Sequence, residues 1–529
     1  MNRREFMKSS GVAGLSLGAP KVLYGKDEAA ASTPEGGSSL KVGFAERDIT
    51  PDPGMEVPGS YVKEREWTIH DPCKVRAVVF DDGRSRVALV GLDALIVPRY
   101  VVLAARRIIH ERCGILPDSM LIGASHNHSA GPVGMVQPGQ YDDASALVKR
   151  LAYEVSSNAD AGYVERVQEE IVTAVCHANS CCVEARCGFG VGNESKVSFN
   201  RRLRMKNGLT YTHPGQGNPA IVGYAGPIDP QVGVVGAWDK GGRLLGCIVN
   251  FACHATTSPG GFSANWIYYM EKTIRGSLGA DLPVVFLQGC CGDITQVDNL
   301  SPYAFPATEE KWAEIVGSSV GAEAVKVLVN ATPGEVMPLN ACTKVWKIQR
   351  RVPSPEHVRQ SYELVQKDPK QVDMTDWVMA KEIVLLDALM AKEPAVEVEV
   401  QGIQVGPAVF LTNPAEFFVE YGLELKAKSP FPFTYPVELA NGCVGYVPTE
   451  EALGPHGGGY ETRLTSYSNL EVSAGRQMVE AGLELAGQMT PGKVPTPPKA
   501  PPFSPASATG SKGVGAHPWS YGDVPPQLN

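Results

Sequence analysis

The stretch Met120-Leu121-Ile122-Gly123-Ala124-Ser125-His126-Asn127-His128 is a short apolar run that ends abruptly in a His-x-His pair. Such a run is typical of a strand that is buried on both faces of a sheet. Four further apolar runs end in the same way: residues 87–92 lead to Asp93, 245–253 to His254, 284–287 to the loop containing Asp293, and 408–411 to Glu416. In open α/β sheets, ligands bind outside the carboxyl ends of the strands. The sequence therefore predicts an α/β fold with a site assembled from distant strand ends.

The composition of the 529-residue chain excludes several classes of protein. Hydrophobic residues make up 43% and charged residues 20%, which is typical of a globular protein. The formal net charge is −9, so the basic surface of a nucleic-acid-binding protein is not expected. No run of 18 apolar residues occurs, so no transmembrane segment is predicted.

The first residues have the features of an export signal. Asn2-Arg3-Arg4-Glu5-Phe6-Met7-Lys8 precedes a short, weakly apolar stretch, and we interpret residues 1–32 as a twin-arginine signal peptide and linker. The alternative is a basic tail without a targeting role. The interpretation predicts export by the twin-arginine machinery to the periplasm or the extracellular space. Because such a protein folds before export, its 12 cysteines are expected to be buried small hydrophobic residues rather than a preset disulfide framework.

The rest of the chain divides into a long folded body and a tail. Residues 41–490 alternate between apolar runs and helical patterns and are predicted to form one catalytic domain. Within it, residues 354–392 are predicted to be a helical insertion, because Ser354-Pro355 is a favourable helix start and helical apolar spacing follows from Trp377. Residues 491–529 are rich in proline and are expected to be a disordered tail.

Three histidines are candidate metal ligands. His126 and His128 lie two residues apart on an extended segment, so both side chains face the same side and can address one point. His254 follows a second strand. The alternatives are hydrogen-bonded loop histidines for the pair and a structural residue for His254.

The remaining candidates are less specific. Glu416 and Glu420 lie one helical turn apart, and spacing cannot choose between them. Tyr446 and Tyr460 bracket a triglycine loop, where tyrosines are more often packing residues than catalysts. Cys290 and Cys291 follow a strand, but no nearby histidine orients them as nucleophiles.

Eight short motifs occur in chain order: Asp48-Ile49-Thr50-Pro51, Ser125-His126-Asn127-His128-Ser129-Ala130-Gly131-Pro132, Asn200-Arg201, Ile228-Asp229-Pro230, Phe251-Ala252-Cys253-His254, Gly292-Asp293-Ile294-Thr295, Pro414-Ala415-Glu416, and Gly445-Tyr446-Val447-Pro448-Thr449-Glu450-Glu451 with Tyr460-Glu461 after it. Each is weak alone, but together they resemble the catalytic domain of the neutral ceramidase family. Members of that family are zinc-dependent amidases that cleave the N-acyl bond of ceramide. The resemblance implies an α/β fold with a mixed β-sheet core and flanking helices. The resemblance covers residues 41 to about 485, and we expect the proline-rich tail to stand where the family has its C-terminal immunoglobulin-like domain.

The resemblance also implies a role for each site residue. It assigns the Zn²⁺ ligands to His126, His254, Glu416 and Tyr446. It places His128, Arg201 and Tyr460 around the reacting carbonyl. Thr295 stands where the family has a serine that has been proposed as a nucleophile or as a binder of the substrate hydroxyl. A threonine keeps the hydroxyl but adds a methyl group, so a binding role is easier to retain than a nucleophilic one.

The sequence thus predicts an exported, zinc-dependent hydrolase that cleaves the amide of a small or lipid-like N-acyl substrate by metal-activated water. Two alternatives remain open. The same metal centre could act on another amide, an ester or a glycan-linked substrate, or the chain could be a non-catalytic metal-binding protein.

Overall fold

The computed structural model describes residues 39–500, so the predicted signal peptide and linker and the part of the tail from residue 501 onward lie outside the described residues. The strands are β1 (Lys41–Asp48), β2 (Glu56–Val57), β3 (Glu64–Arg65), β4 (Lys74–Asp81), β5 (Arg86–Leu92), β6 (Met120–Ala124), β7 (Val183–Asn193), β8 (Phe199–Asn200), β9 (Arg202–Met205), β10 (Thr210–Thr212), β11 (Ile221–Tyr224), β12 (Gln231–Asp239), β13 (Leu244–Phe251), β14 (Val284–Gln288), β15 (Ile294–Thr295), β16 (Leu339–Gln349), β17 (Ala395–Val405), β18 (Ala408–Thr412), β19 (Glu416–Phe417), β20 (Phe433–Val437) and β21 (Tyr446–Val447). The helices are α1 (Arg99–Cys113), α2 (Ala146–Lys149), α3 (Ala161–Ser180), α4 (Trp266–Leu278), α5 (Glu309–Asn330), α6 (Pro355–Leu364), α7 (Met374–Met390), α8 (Val419–Lys428) and α9 (Ala474–Gly487).

The core is an eight-stranded mixed sheet with the strand order β14-β13-β12-β7-β1-β4-β5-β6. Its two edge pairs, β13 with β14 and β5 with β6, are parallel, and the inner pairs are antiparallel. Alternate residues of β4 and β5 pack against α1 and α3, while α4 and α5 cover the β12–β14 end. The mixed sheet with flanking helices predicted from the sequence is therefore confirmed.

A second sheet lies against the other face of the first. It has the order β16-β17-β18-β20, and its residues Ile403, Phe410 and Tyr435 share one buried cluster with Phe80 and Leu121 of the large sheet. Helices α8 and α9 cover its outer face. The domain is thus built of two stacked sheets between two helical layers.

The segment 354–392 contains α6 and α7. Helix α7 is buried along most of its length because it packs against the loop and short helices of residues 136–155. Asp373 caps its first turn by accepting hydrogen bonds from two backbone N–H groups. The packing places α7 beside the strand ends that carry the candidate site residues.

None of the helices formed by residues 39–500 combines the length and the apolar character that a bilayer crossing requires.

Candidate metal centre and active site

The loops after β6 and β13 lie side by side. Asn127 and Ala255 form an isolated parallel bridge, and the N–H of His128 donates to the carbonyl of Ala255 at 3.1 Å. The side chain of Asn127 points the other way and donates to the carbonyl of Ser263. His126 has a φ of +54°, in the left-handed region and not the extended one that the sequence predicts, and the turn still brings His126 and His128 together next to His254.

The three imidazoles form one buried cluster. One ring nitrogen of each lies within 4.8 Å of the others. Nδ1 of His126 donates to the carbonyl oxygen of Leu95 at 3.1 Å, so the other ring nitrogen, Nε2 of His126, faces the cluster. That Nε2 is 3.2 Å from Nε2 of His128 and 3.1 Å from Oε2 of Glu416, and Nε2 of His254 is 3.6 Å from the same oxygen. Glu416, and not Glu420, therefore lies beside two imidazoles.

Several of these buried polar atoms have no hydrogen-bond partner among the described residues. They are both ring nitrogens of His254 and Oε2 of Glu416. A buried polar atom without a partner is costly, and a carboxylate oxygen with neutral imidazole nitrogens is a usual ligand set for zinc. The donor set therefore fits a divalent cation.

The electrostatics of the cluster agree with such a role. Burial, aided by Arg201 and His126, lowers the pKa of His254 to about 3, so its imidazole is neutral. Burial would raise the pKa of Glu416, but His126 beside it holds that pKa well below its usual range. A carboxylate and a neutral imidazole are the forms that bind metal.

Tyr446 enters the cluster from a neighbouring strand. It pairs directly with Glu416 in the short parallel ladder between β21 and β19. Its hydroxyl lies 2.7 Å from the hydroxyl of Tyr460, and burial together with Glu416 raises its pKa well above the usual range. The phenol is thus a neutral group next to the carboxylate.

Arg201 lies across the two tyrosines. Its Nη2 donates to the Tyr446 hydroxyl at 3.1 Å and to the carbonyl of Gly292 at 2.8 Å, while Nε donates to Glu461 at 2.7 Å. Its guanidinium carbon is 5.0 Å from the centre of the Tyr460 ring. A buried guanidinium held by a buried carboxylate is a fixed positive charge next to the phenols.

Part of this cluster lines a cavity of about 850 Å³, and His254 and Arg201 contact the lining residues Glu416 and Tyr446. His126, His128, Glu416, Tyr446 and Tyr460 all line it, and Met379 and Leu385 of α7 form part of its wall. The volume is within the range of small-molecule sites. Gly59, with a φ of +99°, lies against His128, where an added Cβ would come 2.3 Å from Nδ1.

Thr295 and Glu420 do not line this cavity, although the carbonyl next to Thr295, that of Ile294, accepts from the N–H of His254 at 3.2 Å. Thr295 pairs with Phe199 in the ladder of β15 and β8, its hydroxyl accepts from the N–H of Val297, and it is not among the residues that line the cavity. Glu420 lines a separate depression with Arg202 and Arg204. Cys290 and Cys291 are buried, and burial raises the pKa of both thiols well above the usual range, so neither is an activated nucleophile.

Sequence reasoning did not assign a role to two acidic residues at this site. Glu461, next to Tyr460, holds Arg201 in place. Glu438 is fully buried, and burial raises the pKa of its carboxyl to about 8. Only the position of Glu438 directly after a buried apolar strand could have drawn attention to it.

Comparison with known proteins supports the likeness found in the motifs. No family model matches the chain. The neutral ceramidase of Pseudomonas aeruginosa is 26% identical over 288 residues, which cover 51% of this chain and 39% of that protein. The match thus spans about two fifths of the relative's length.

Solved structures match over a larger part of the chain. A ceramidase complexed with C2 superposes with a TM-score of 0.62 and 19% identity, covering 88% of this chain and 77% of the other. The crystal structure of the neutral ceramidase from Pseudomonas aeruginosa also gives a TM-score of 0.62 and 19% identity, covering 87% and 76%. The predicted likeness to the neutral ceramidase family is confirmed, and the chain has the fold of that family's solved structures.

Proposed function

We propose that the chain is a zinc-dependent hydrolase that cleaves the amide bond of a linear N-acyl compound. The observation that carries the proposal is the set of buried, unpartnered ligand atoms of His254 and Glu416 beside His126, where His126 and Glu416 line a large cavity. His126, His254, Glu416 and Tyr446 would hold the ion. When bound, zinc supplies a Lewis acid that lowers the pKa of a coordinated water to about 7.

The other groups of the cluster would act on the substrate. Arg201 and the hydroxyl of Tyr460 are fixed donors beside Tyr446, and they would stabilise negative charge on the carbonyl oxygen. His128 is kept neutral, because burial lowers its pKa well below the usual range, and it would carry the proton to the leaving nitrogen. Amide cleavage needs both functions, and both lie within this cluster.

The likeness to ceramidases favours an N-acyl substrate over an ester or a glycan-linked amide. The cavity walls agree with this, because Leu95, Met135, Val136 and Leu385 offer apolar surface to an acyl chain while the lining around Glu416 is polar. The metal-binding scaffold without activity remains the alternative of another class.

The test combines metal content with turnover. The zinc-loaded protein is assayed against ceramide, short-chain N-acyl amides and matched esters, together with His126→Ala, His254→Ala and the control His357→Ala on α6. We expect about one zinc per chain in the parent and in the control, with amide turnover in both, and neither zinc nor turnover in the two site variants. Normal zinc content in both site variants would refute the ligand assignment. Zinc binding without turnover of any substrate would support the scaffold alternative.

We further propose that the chain is exported by the twin-arginine machinery. Support comes from the Asn2-Arg3-Arg4-Glu5-Phe6-Met7-Lys8 sequence. Replacing Arg3 and Arg4 by lysine in a bacterial host with this machinery is expected to leave the protein in the cytoplasm at full length. Cell fractionation and immunoblotting measure the location of the protein. Unchanged export of the variant would refute the proposal.

A further inference from the structure

Three buried side chains behind the metal centre form one continuous chain of hydrogen bonds. Nε2 of Gln288 donates to the sulfur of Cys291 at 3.0 Å, and that thiol donates to Oε1 of Glu438 at 2.9 Å. Glu438 and Cys291 are 0% exposed and Gln288 is 1% exposed. We call Gln288, Cys291 and Glu438 the brace.

The brace ends on the backbone next to the proposed site residues. Oε2 of Glu438 accepts from the N–H of Phe417, which follows Glu416, at 2.8 Å, and from the N–H of Cys291 at 2.9 Å. Nε2 of Gln288 also donates to the carbonyl of Cys253, which precedes His254, at 2.9 Å. The brace is thus bonded to both segments that carry Glu416 and His254.

The brace also reaches Arg201. Gly292, which follows Cys291, accepts from Nη2 of Arg201 through its carbonyl and donates its N–H to the carbonyl of Phe417 at 2.9 Å. The backbone of residues 291–292 is therefore fixed between Glu438 and the strand of Glu416. Glu416, His254 and Arg201 are therefore all held through the hydrogen bonds of the brace. Side chains that orient metal ligands in this way tune the affinity for the metal.

We propose that Glu438, Cys291 and Gln288 are positioning residues that hold the ligands His254 and Glu416 and the Gly292 anchor of Arg201 in one fixed arrangement. This inference rests on the proposed zinc hydrolase function. It assigns a role to a buried carboxylate and a thiol that do not face the cavity.

The test uses variants that differ in hydrogen bonding. Cys291→Ala removes both hydrogen bonds of the thiol, whereas Cys291→Ser keeps a donor and an acceptor at the same place. Glu438→Gln keeps the shape but replaces one of the two acceptor oxygens by an amide N–H₂ donor. Cys187→Ala, which removes a buried thiol from the core between the two sheets, is the control for lost volume.

We expect Cys291→Ala and Glu438→Gln to lower zinc affinity by roughly 10- to 100-fold, measured by competition with a chromophoric chelator. At saturating zinc, kcat should fall while KM changes little, because the Arg201 anchor has moved and the cavity wall has not. Cys291→Ser should recover most of the affinity, and Cys187→Ala should keep it in full.

The results separate the two proposals. A parent protein that binds no zinc would refute the hydrolase and the brace together. Zinc binding by the parent, with equal affinity and kcat in Cys291→Ala and Glu438→Gln, would overturn the brace alone. Loss in Cys291→Ser as large as in Cys291→Ala would also overturn it, because hydrogen bonding would then not be the cause.

A different observation carries an independent inference about the cysteines. The sulfurs of Cys113, at the end of α1, and Cys176, on α3, lie 2.8 Å apart. Nonbonded heavy atoms normally keep about 3.5–4 Å apart, and a disulfide needs about 2.05 Å. Small side-chain shifts would therefore bring this pair to bonding distance.

We infer that Cys113 and Cys176 form a disulfide that links α1 to α3 when the protein meets a small-molecule disulfide such as oxidised glutathione. The thiolate of one cysteine attacks the reagent and displaces one thiol, and the second cysteine then attacks the mixed disulfide and displaces the other. Two protein thiols are oxidised, one reagent disulfide is reduced, and two protons pass to the released thiolates. The sequence predicts no preset disulfide framework, and this oxidation would add a single disulfide after folding.

Incubation of the folded protein with oxidised glutathione, followed by alkylation and peptide mapping without reductant, tests the inference. We expect a linked Cys113–Cys176 peptide with a mass about 2 Da below the sum of its parts, and a melting temperature about 2–4 °C above that of Cys176→Ser. Alkylation of both cysteines after oxidation, a glutathione adduct alone, or a link from Cys176 to the exposed Cys181 would overturn it.

Discussion

Two buried clusters of charged and polar side chains lie near the ends of strands in the large sheet, and they differ in how their charges are balanced. In one, Arg76 donates to Asp93 at 2.8 Å and to Glu271 at 2.6 Å, and Lys74 donates to Glu271 at 2.7 Å. In the other, His254 and Glu416 keep polar atoms that no described residue satisfies.

The contrast separates a structural site from a binding site. Asp93 and His126 follow neighbouring strands and look alike in the sequence, yet Asp93 has its own cation in the chain and His126 faces a carboxylate and other imidazoles. A polar residue at a strand end is therefore not enough to indicate a ligand site. What distinguishes the second cluster is that its unpartnered atoms belong to an imidazole and a carboxylate that meet two further imidazoles.

The largest expected effect concerns the cluster of His126, His254 and Glu416. Glu416→Gln keeps the shape of the side chain but removes the charge that would bind zinc, so we expect zinc affinity to collapse and amide turnover to fall about 1000-fold or more. Elemental analysis and steady-state assays measure both quantities. Glu420→Gln is the matched control and should retain zinc and activity. If the two variants lost zinc equally, the assignment of Glu416 would be wrong.

The next effect concerns the cluster that the chain balances by itself. Arg76→Met leaves Asp93 and Glu271 buried without their main cation, and we expect the free energy of unfolding to fall by about 3–5 kcal/mol. Urea denaturation measures the change, and zinc affinity per folded molecule should stay unchanged. Arg47→Met breaks an exposed ion pair with Glu170 and should cost less than about 1 kcal/mol. A similar loss in both variants would contradict the comparison.

The sequence indicates the candidate metal ligands more directly than it indicates the residues that hold them in place. Buried strands followed by polar residues indicated His126 and His254, and the family motifs selected Glu416 over Glu420. Arg201 was expected near the carbonyl, but its partner Glu461 is 260 positions away, and local patterning carries no signal for such a pair. The stacking of the second sheet was also missed. A strand that is covered by a sheet and one that is covered by a helix have the same apolar pattern in the sequence.

Thr295 shows the limit of transfer by motif. The motif fixes its place in sequence after Asp293, and the structure places it in the ladder of β15 with β8, one residue after the carbonyl of Ile294 that accepts from the N–H of His254, and outside the lining of the cavity. A nucleophilic or substrate-binding role for its hydroxyl remains a prediction.

Tyr460→Phe has an intermediate expected effect. The variant loses only the hydroxyl, which lies 2.7 Å from that of Tyr446, so zinc should stay bound while kcat falls about 100-fold through loss of one donor to the carbonyl oxygen. Tyr224→Phe, which removes a hydroxyl that bonds Asp298 on the surface, is the control. Zinc loss in Tyr460→Phe would show that this phenol, rather than Tyr446, is needed for the metal.

The smallest effect is a pH dependence of the cluster around Arg76. Burial would raise the pKa of the Glu271 carboxyl, but Arg76, Lys74 and Arg275 lower it to about 2. Because the folded pKa lies below the unfolded value of about 4.3, this carboxylate stabilises the fold above pH 4 and the contribution is lost as the pH falls from there to 2. The loss should be on the order of 2 kcal/mol, read from urea unfolding at a series of pH values. Glu271→Gln cannot titrate, so its stability should change less over the same interval, and equal slopes for both proteins would mean that the ion pairs of Arg76 do not hold this carboxylate in its charged form.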